Sequence, residues 1–153
     1  MLSRARKQAE MRSARKPPLT IRAYALQQTR TLLRRLAFQV SRAARPGDPD
    51  AVHDLRVAIR RFTRALRVFQ QFLPHGKARK VRHELQDIMD LAAAVRDRDI
   101  ASELLQEARV PAGSPLVATL RRERKEAETR LRVAVRRLAR VGFSQKWRLG
   151  LRL

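Results

Sequence analysis

The chain has 153 residues, enough for one domain with a core of its own. Its 36 Lys and Arg against 14 Asp and Glu leave a net charge of +22, which points to a polyanionic partner: nucleic acid, polyphosphate or an anionic membrane surface. The absence of cysteine excludes disulfides, Cys-based metal sites and thiol catalysis, and no apolar run approaches the length of a membrane span.

Residues 1–17 are basic and lack the apolar stretch of a secretory signal. They are read as a flexible lead-in, and residues 18–153 as a helical domain. The first long helix is expected from about Leu19 to Ala44, with Ile21, Ala25, Leu32, Leu36 and Val40 as its apolar stripe. Arg45-Pro46-Gly47 stops it. The next helix opens on strong local signals: Asp48 as N-cap, Pro49 at the first helical position, and Asp50 facing the positive end of the dipole. Its stripe is Val52, Leu55, Ile59, Phe62, Leu66, Phe69 and Leu73, and Pro74-His75-Gly76 ends it. A third helix runs from about Lys77 to Ala108 on Val81, Leu85, Ile88, Ala92, Val95 and Leu104. Ser114 and Pro115 then cap and open a fourth, with Leu116, Leu120, Ala127, Leu131, Ala134 and Leu138 inward. Ser144 reads as the cap of a further helix carrying Trp147, Leu149 and Leu151. No stretch has the alternation of a strand, and the connections are short. The expected fold is therefore all-α, an antiparallel up-down four-helix bundle.

The second helix has a second pattern. His53, Arg56, Arg60, Arg64 and Arg67 fall within an arc of about 80° at roughly 100° per residue. A solvated helix face mixes charge signs at four-residue spacing. This one places like charges together, which costs helix stability unless an anion relieves it. Guanidinium forks grip phosphate oxygens in pairs, so a row of them suits a chain of phosphates. His53 is weighed between a structural histidine and a hydrogen-bond donor to phosphate that acts more strongly at mildly acidic pH. Arg82 is read as a further ligand. Arg96 lies at the edge of an apolar stripe and needs a partner: an ion pair with Asp97, Asp99 or Glu103, or an anion. The arginines of the fourth helix interleave with Glu123, Glu126 and Glu128 and read as a salt-bridged, solvated face.

Asp48-Pro49-Asp50-Ala51-Val52-His53, followed by Arg56-Val57-Ala58 and the basic pair Arg60-Arg61, resembles the opening motif of the CHAD domain, the conserved histidine alpha-helical domain. Arg96-Asp97-Arg98-Asp99-Ile100 is similar to that family's Arg-Asp-x-Asp-Val block, and Ser144-Gln145-Lys146-Trp147 to its Ser-x-Arg-aromatic block. The resemblance implies a polyphosphate-binding helical bundle and adds Arg61 to the expected ligands. It turns Arg96 toward the site, with neighbouring aspartates orienting the arginines. Thr63, Gln86 and Ala93 depart from the family pattern, where basic residues and a glycine are usual. The family's usual domain has two such bundles, and this chain matches the first. That leaves a fragment, a half-domain, or a protomer that rebuilds the full domain as a homodimer.

No Gly-rich phosphate loop, metal-spaced histidine cluster or nucleophile signature is present, so neither catalysis nor a metal or other cofactor is expected. Glu84, Asp87 and Asp90 step along one helix side and read as a solvated acidic face. The expected function is binding of inorganic polyphosphate in the cytoplasm, at polyphosphate granules by the family resemblance. Sequence-nonspecific binding of nucleic acid is the alternative, supported by charge but not by the 5% of aromatic residues. A membrane-surface role is not expected, because the apolar stripes are accounted for by a bundle core.

Overall fold

In a computed structural model, which describes residues 20–48 and 50–153, the chain folds into α-helices with one 3-10 turn and no strand among the described residues. The expected lead-in over residues 1–17, the helix start at Leu19 and the role of Pro49 lie outside the described residues. The helices are α1 (Ile21–Ala43), α2 (Ala51–Val68), α3 (His75–Glu107), α4 (Pro115–Arg140) and α5 (Phe143–Gly150).

Local chemistry sets most of these boundaries. The Thr20 hydroxyl accepts the Ala23 N–H at 3.2 Å and opens α1. The Ser114 hydroxyl accepts the Val117 N–H at 3.3 Å and opens α4, with Pro115 in the first turn. Asp48 behaves differently from the expected helix cap. One of its carboxylate oxygens accepts the Asp50 N–H at 3.0 Å, and the other is gripped by Arg42. It therefore staples the α1–α2 turn, and Asp50 stands at the N-cap position without a side-chain cap bond. The expected run of α2 to Leu73 breaks at Val68, and Gln70–Phe72 tightens into the 3-10 turn. The last helix begins at Phe143 with Gly142 before it at φ +58, a left-handed conformation that glycine adopts without steric cost.

The core contains Leu36, Leu55, Ile59, Phe62, Leu66, Leu85, Val95 and Val135, all essentially inaccessible. Two stripes differ by one position from the expected ones. In α1 the buried line is Ala25, Thr29, Leu33, Leu36 and Val40, so Leu33 replaces Leu32, and Ile21 is exposed. The polar Thr29 is tolerated there because its hydroxyl donates to the Ala25 carbonyl at 2.8 Å. In α4 the line is Ala127, Leu131 and Val135, with Ala134 half-buried. Leu104 and Leu116, expected inside, are exposed, because the distal parts of α3 and α4 extend past the core. Leu149 is likewise exposed, while Trp147 and Leu151 are buried.

The helices pair as two hairpins, α1 with α2 and α3 with α4. Arg42 near the end of α1 meets Asp54 near the start of α2, and Asp99 of α3 meets Arg124 of α4. The hairpins join through α2 on α3 and α1 on α4. Arg136, close to the C-terminal end of α4, donates to the Ala44 carbonyl just past the C-terminal end of α1 at 3.0 Å. In an aligned up-down bundle those two ends would lie at opposite poles, so α1 and α4 depart from that alignment. The short α5 packs on α1 and α4. Its Trp147 stacks on Phe62 of α2, with ring centroids 6.2 Å apart and planes 6° from parallel, and Phe143 meets Trp147 edge-on at 4.8 Å.

Candidate polyanion site in the groove between α2 and α3

The apolar stripe of α2 faces the core, and this fixes where its basic residues can point. Leu55, Ile59, Phe62 and Leu66 are buried, so positions 60, 61, 64 and 67 turn outward toward α3 and solvent. From the other wall, α3 buries Val81, Leu85 and Ile88 and presents Arg82, Gln86 and Met89. Between the two helices runs an open groove of about 910 Å³. Arg60, Arg61, Arg64 and Arg67 line it from α2 and Arg82 from α3, over a floor that includes Val57 and Met89.

The groove's lining contains no carboxylate. None of its five arginines forms an ion pair among the described residues. This differs from the pairing seen elsewhere: Arg42 bonds Asp48 and Asp54, Arg124 bonds Asp99 and Glu128, and Arg132 bonds Glu128. In addition, the Nε atoms of Arg56 and Arg82 are inaccessible and have no hydrogen-bond partner. A buried donor left without an acceptor costs about 1–3 kcal/mol. Both lie among the residues singled out from sequence, and Arg98 Nε, outside the groove, is orphaned in the same way.

Five of the eight expected site residues thus converge on one groove: Arg60, Arg61, Arg64, Arg67 and Arg82. The other three do not line it. His53 is exposed in the first turn of α2, about 10 Å along the axis from Arg60 at 1.5 Å per residue. Arg56 shares the face by angle but is half-buried. Arg96 bonds Glu103 at 3.3 Å, which is one of the ion pairs weighed from sequence, and it stands beyond the groove. Asp99, expected to orient site arginines, instead accepts from Arg124 at 2.7 Å and joins α3 to α4.

Sequence reading did not anticipate Val57, Met89, Thr63 or Gln86 as lining residues. The last two appeared there only as departures from a family pattern. Thr63 turns its hydroxyl onto the Ile59 carbonyl at 2.9 Å, and Gln86 donates to Asp90 at 2.8 Å. The acidic positions of α3 make no metal cluster: no group of three or more His, Asp or Glu is placed to hold an ion among the described residues. No helix among them is long and apolar enough to cross a membrane.

The described residues thus form a basic helical domain with a carboxylate-free groove lined by arginines. The chain belongs to the CHAD-domain family, whose model matches residues 27–151. No curated protein and no solved structure matches the chain.

Proposed function

We propose that the protein binds inorganic polyphosphate in the α2–α3 groove, and that it is a binding module without catalytic activity. The observation that carries this reading is the set of five arginines around one groove with no carboxylate among them. Two turns of helix hold Arg60, Arg64 and Arg67 in a row, and Arg82 faces them from α3. A flexible phosphate chain can follow such a row, with successive oxygens accepted by successive forks. Membership in the CHAD family is consistent with polyphosphate binding in general. His53 and Arg56 extend the same face toward the α2 N-terminus, where a chain longer than the groove would pass. Arg96 contributes there only by leaving Glu103.

The scaffold for this row is an up-down four-helix arrangement in which α1 and α4 depart from alignment. In this reading the domain works in the cytoplasm, at polyphosphate granules. Two copies pair about a twofold axis and join their grooves into one basic channel. Light scattering with and without polyphosphate tests the pairing, and a monomer under both conditions removes it.

Nucleic acid is the competing partner, since phosphate contacts need only cations. The groove favours polyphosphate because no aromatic ring lines it to stack a base. The deciding experiment is an affinity series on long-chain polyphosphate. Arg60→Ala, Arg64→Ala and Arg82→Ala each weaken binding by about tenfold to a hundredfold, the loss expected for a charge-assisted hydrogen bond. Arg122→Ala, on the exposed face of α4, leaves it unchanged. Equal losses at all four positions, or failure of polyphosphate to displace nucleic acid at equal phosphate concentration, defeats the reading.

A further inference from the structure

The arginine groove has a neighbour. On the other side of α2, a second depression of about 380 Å³ lies between α1 and α2. The two share Val57 and Arg61, so that pair forms the ridge between them. The chemistry changes across the ridge. The second depression carries the ring of Phe38, which is 62% exposed, with Arg34 and Arg35 in the same lining. Singly exposed apolar residues are ordinary on protein surfaces. A phenyl ring standing among three arginines that form no ion pair among the described residues, Arg34, Arg35 and Arg61, is a more specific arrangement.

The polar groups of this depression are anchored from behind. Arg42 donates to the Gln39 side-chain oxygen at 3.1 Å and to Asp54 Oδ2 at 2.7 Å. Gln39 is thereby held with its amide nitrogen free to donate, and Asp54 keeps Oδ1 as an acceptor. One fixed donor and one fixed acceptor beside an aromatic face can pair with the edge of a heterocyclic base and stack its plane.

We propose that the α1–α2 depression is a nucleobase subsite, and that the ligand spanning the ridge is a nucleoside polyphosphate. Its base stacks on Phe38, Arg61 takes the phosphates nearest the sugar, and the distal phosphates enter the α2–α3 groove. This rests on the reading of that groove as a phosphate site and adds a class of capped ligand to it. The cap contributes affinity through stacking, and the phosphates contribute through charge.

The test compares inorganic tetraphosphate with adenosine 5′-tetraphosphate by titration calorimetry, with light scattering on the same samples. The variants are wild type, Phe38→Ala and Phe38→Tyr, in a side chain exposed enough that truncation leaves the core intact. In wild type the nucleoside tightens binding about tenfold, within the range of base–aromatic stacking. Phe38→Ala removes that gain and Phe38→Tyr keeps it, while affinity for inorganic tetraphosphate is the same in all three. The proposal is overturned if the nucleoside adds nothing, if its gain survives in Phe38→Ala, or if Phe38→Ala weakens both ligands equally. A change in self-association without a change in nucleoside preference also overturns it and makes Phe38 a contact between copies. Loss of binding by both ligands in wild type removes the phosphate groove itself, an outcome distinct from a cap that contributes nothing.

Discussion

The α2–α3 groove and the distal α3–α4 hairpin are both rich in arginine, yet they treat its charge in opposite ways. In the hairpin, Arg124 sits between Asp99 and Glu128, Arg132 bonds Glu128, and Arg98 approaches Glu123 at 3.8 Å. The pairs of Arg124 with Asp99 and Arg98 with Glu123 lie just distal to the buried Val95 and Ala127, toward the exposed Leu104 and Leu116. In the groove, five arginines share one space and form no ion pair among the described residues. The first region uses charge to hold two helices together. The second keeps charge uncompensated and relies on the buried stripe of α2 to hold its helix in place. Arginine content alone does not mark a site; the distribution of carboxylates does.

Placing a carboxylate in the groove breaks this difference most directly. Gln86→Glu sets a negative charge opposite the α2 arginines, which would occupy their forks and repel phosphate. Polyphosphate affinity falls about tenfold, as expected for roughly 1.4 kcal/mol of added repulsion at partly screened distance. Unchanged affinity in the same titration would mean that the ligand avoids this groove. The converse change acts on the hairpin. Arg124→Ala removes the bonds to Asp99 and Glu128, all partly exposed, and lowers unfolding stability by about 1 kcal/mol without altering polyphosphate affinity. Denaturant melting with a parallel binding assay checks both halves.

The smallest effect concerns the turn that leads into α2. Hydrogen bonds from Arg42 hold the Asp48 carboxyl below the ordinary aspartate value of 3.8, and the Asp50 N–H adds to this. The folded pKa is thus lower than the unfolded one. The bridge contributes fully above the ordinary value and is lost as pH falls through the lower folded value. Asp48→Asn therefore lowers stability near neutrality, where the bridge is fully present, and flattens the acid limb, so that the two stability–pH curves converge at low pH. An unaltered acid limb would mean that Arg42 is satisfied by Asp54 alone.

Much of the fold is legible because the period of the apolar residues is strong in α2 and α4. The slips have physical causes. Thr29 counted as polar, although a bond to its own helix lets it occupy a core position, so the α1 stripe was placed one residue early at Leu32. The distal leucines of α3 and α4 continue a helical period past the point where a second layer covers them. For the site, spacing alone gathered Arg60, Arg64 and Arg67, since they share one face of one helix. Spacing cannot separate Arg56, which is drawn half inside, from its neighbours. Nor can it place Arg82 opposite them, because that depends on how α3 lies against α2. Arg96 was weighed as an ion pair or a ligand, and Glu103, two turns further along the same helix, resolves it as an ion pair.

The stack of Trp147 on Phe62 has a practical consequence. It is the sole tryptophan in the sequence, 4% exposed, and it leans on the α2 residue between Arg61 and Thr63. Any shift of the arginine helix as a ligand settles is felt directly by that indole. The protein thus carries a native fluorophore behind its arginine helix, and emission recorded without a label is the direct way to test for occupancy of the opposite face.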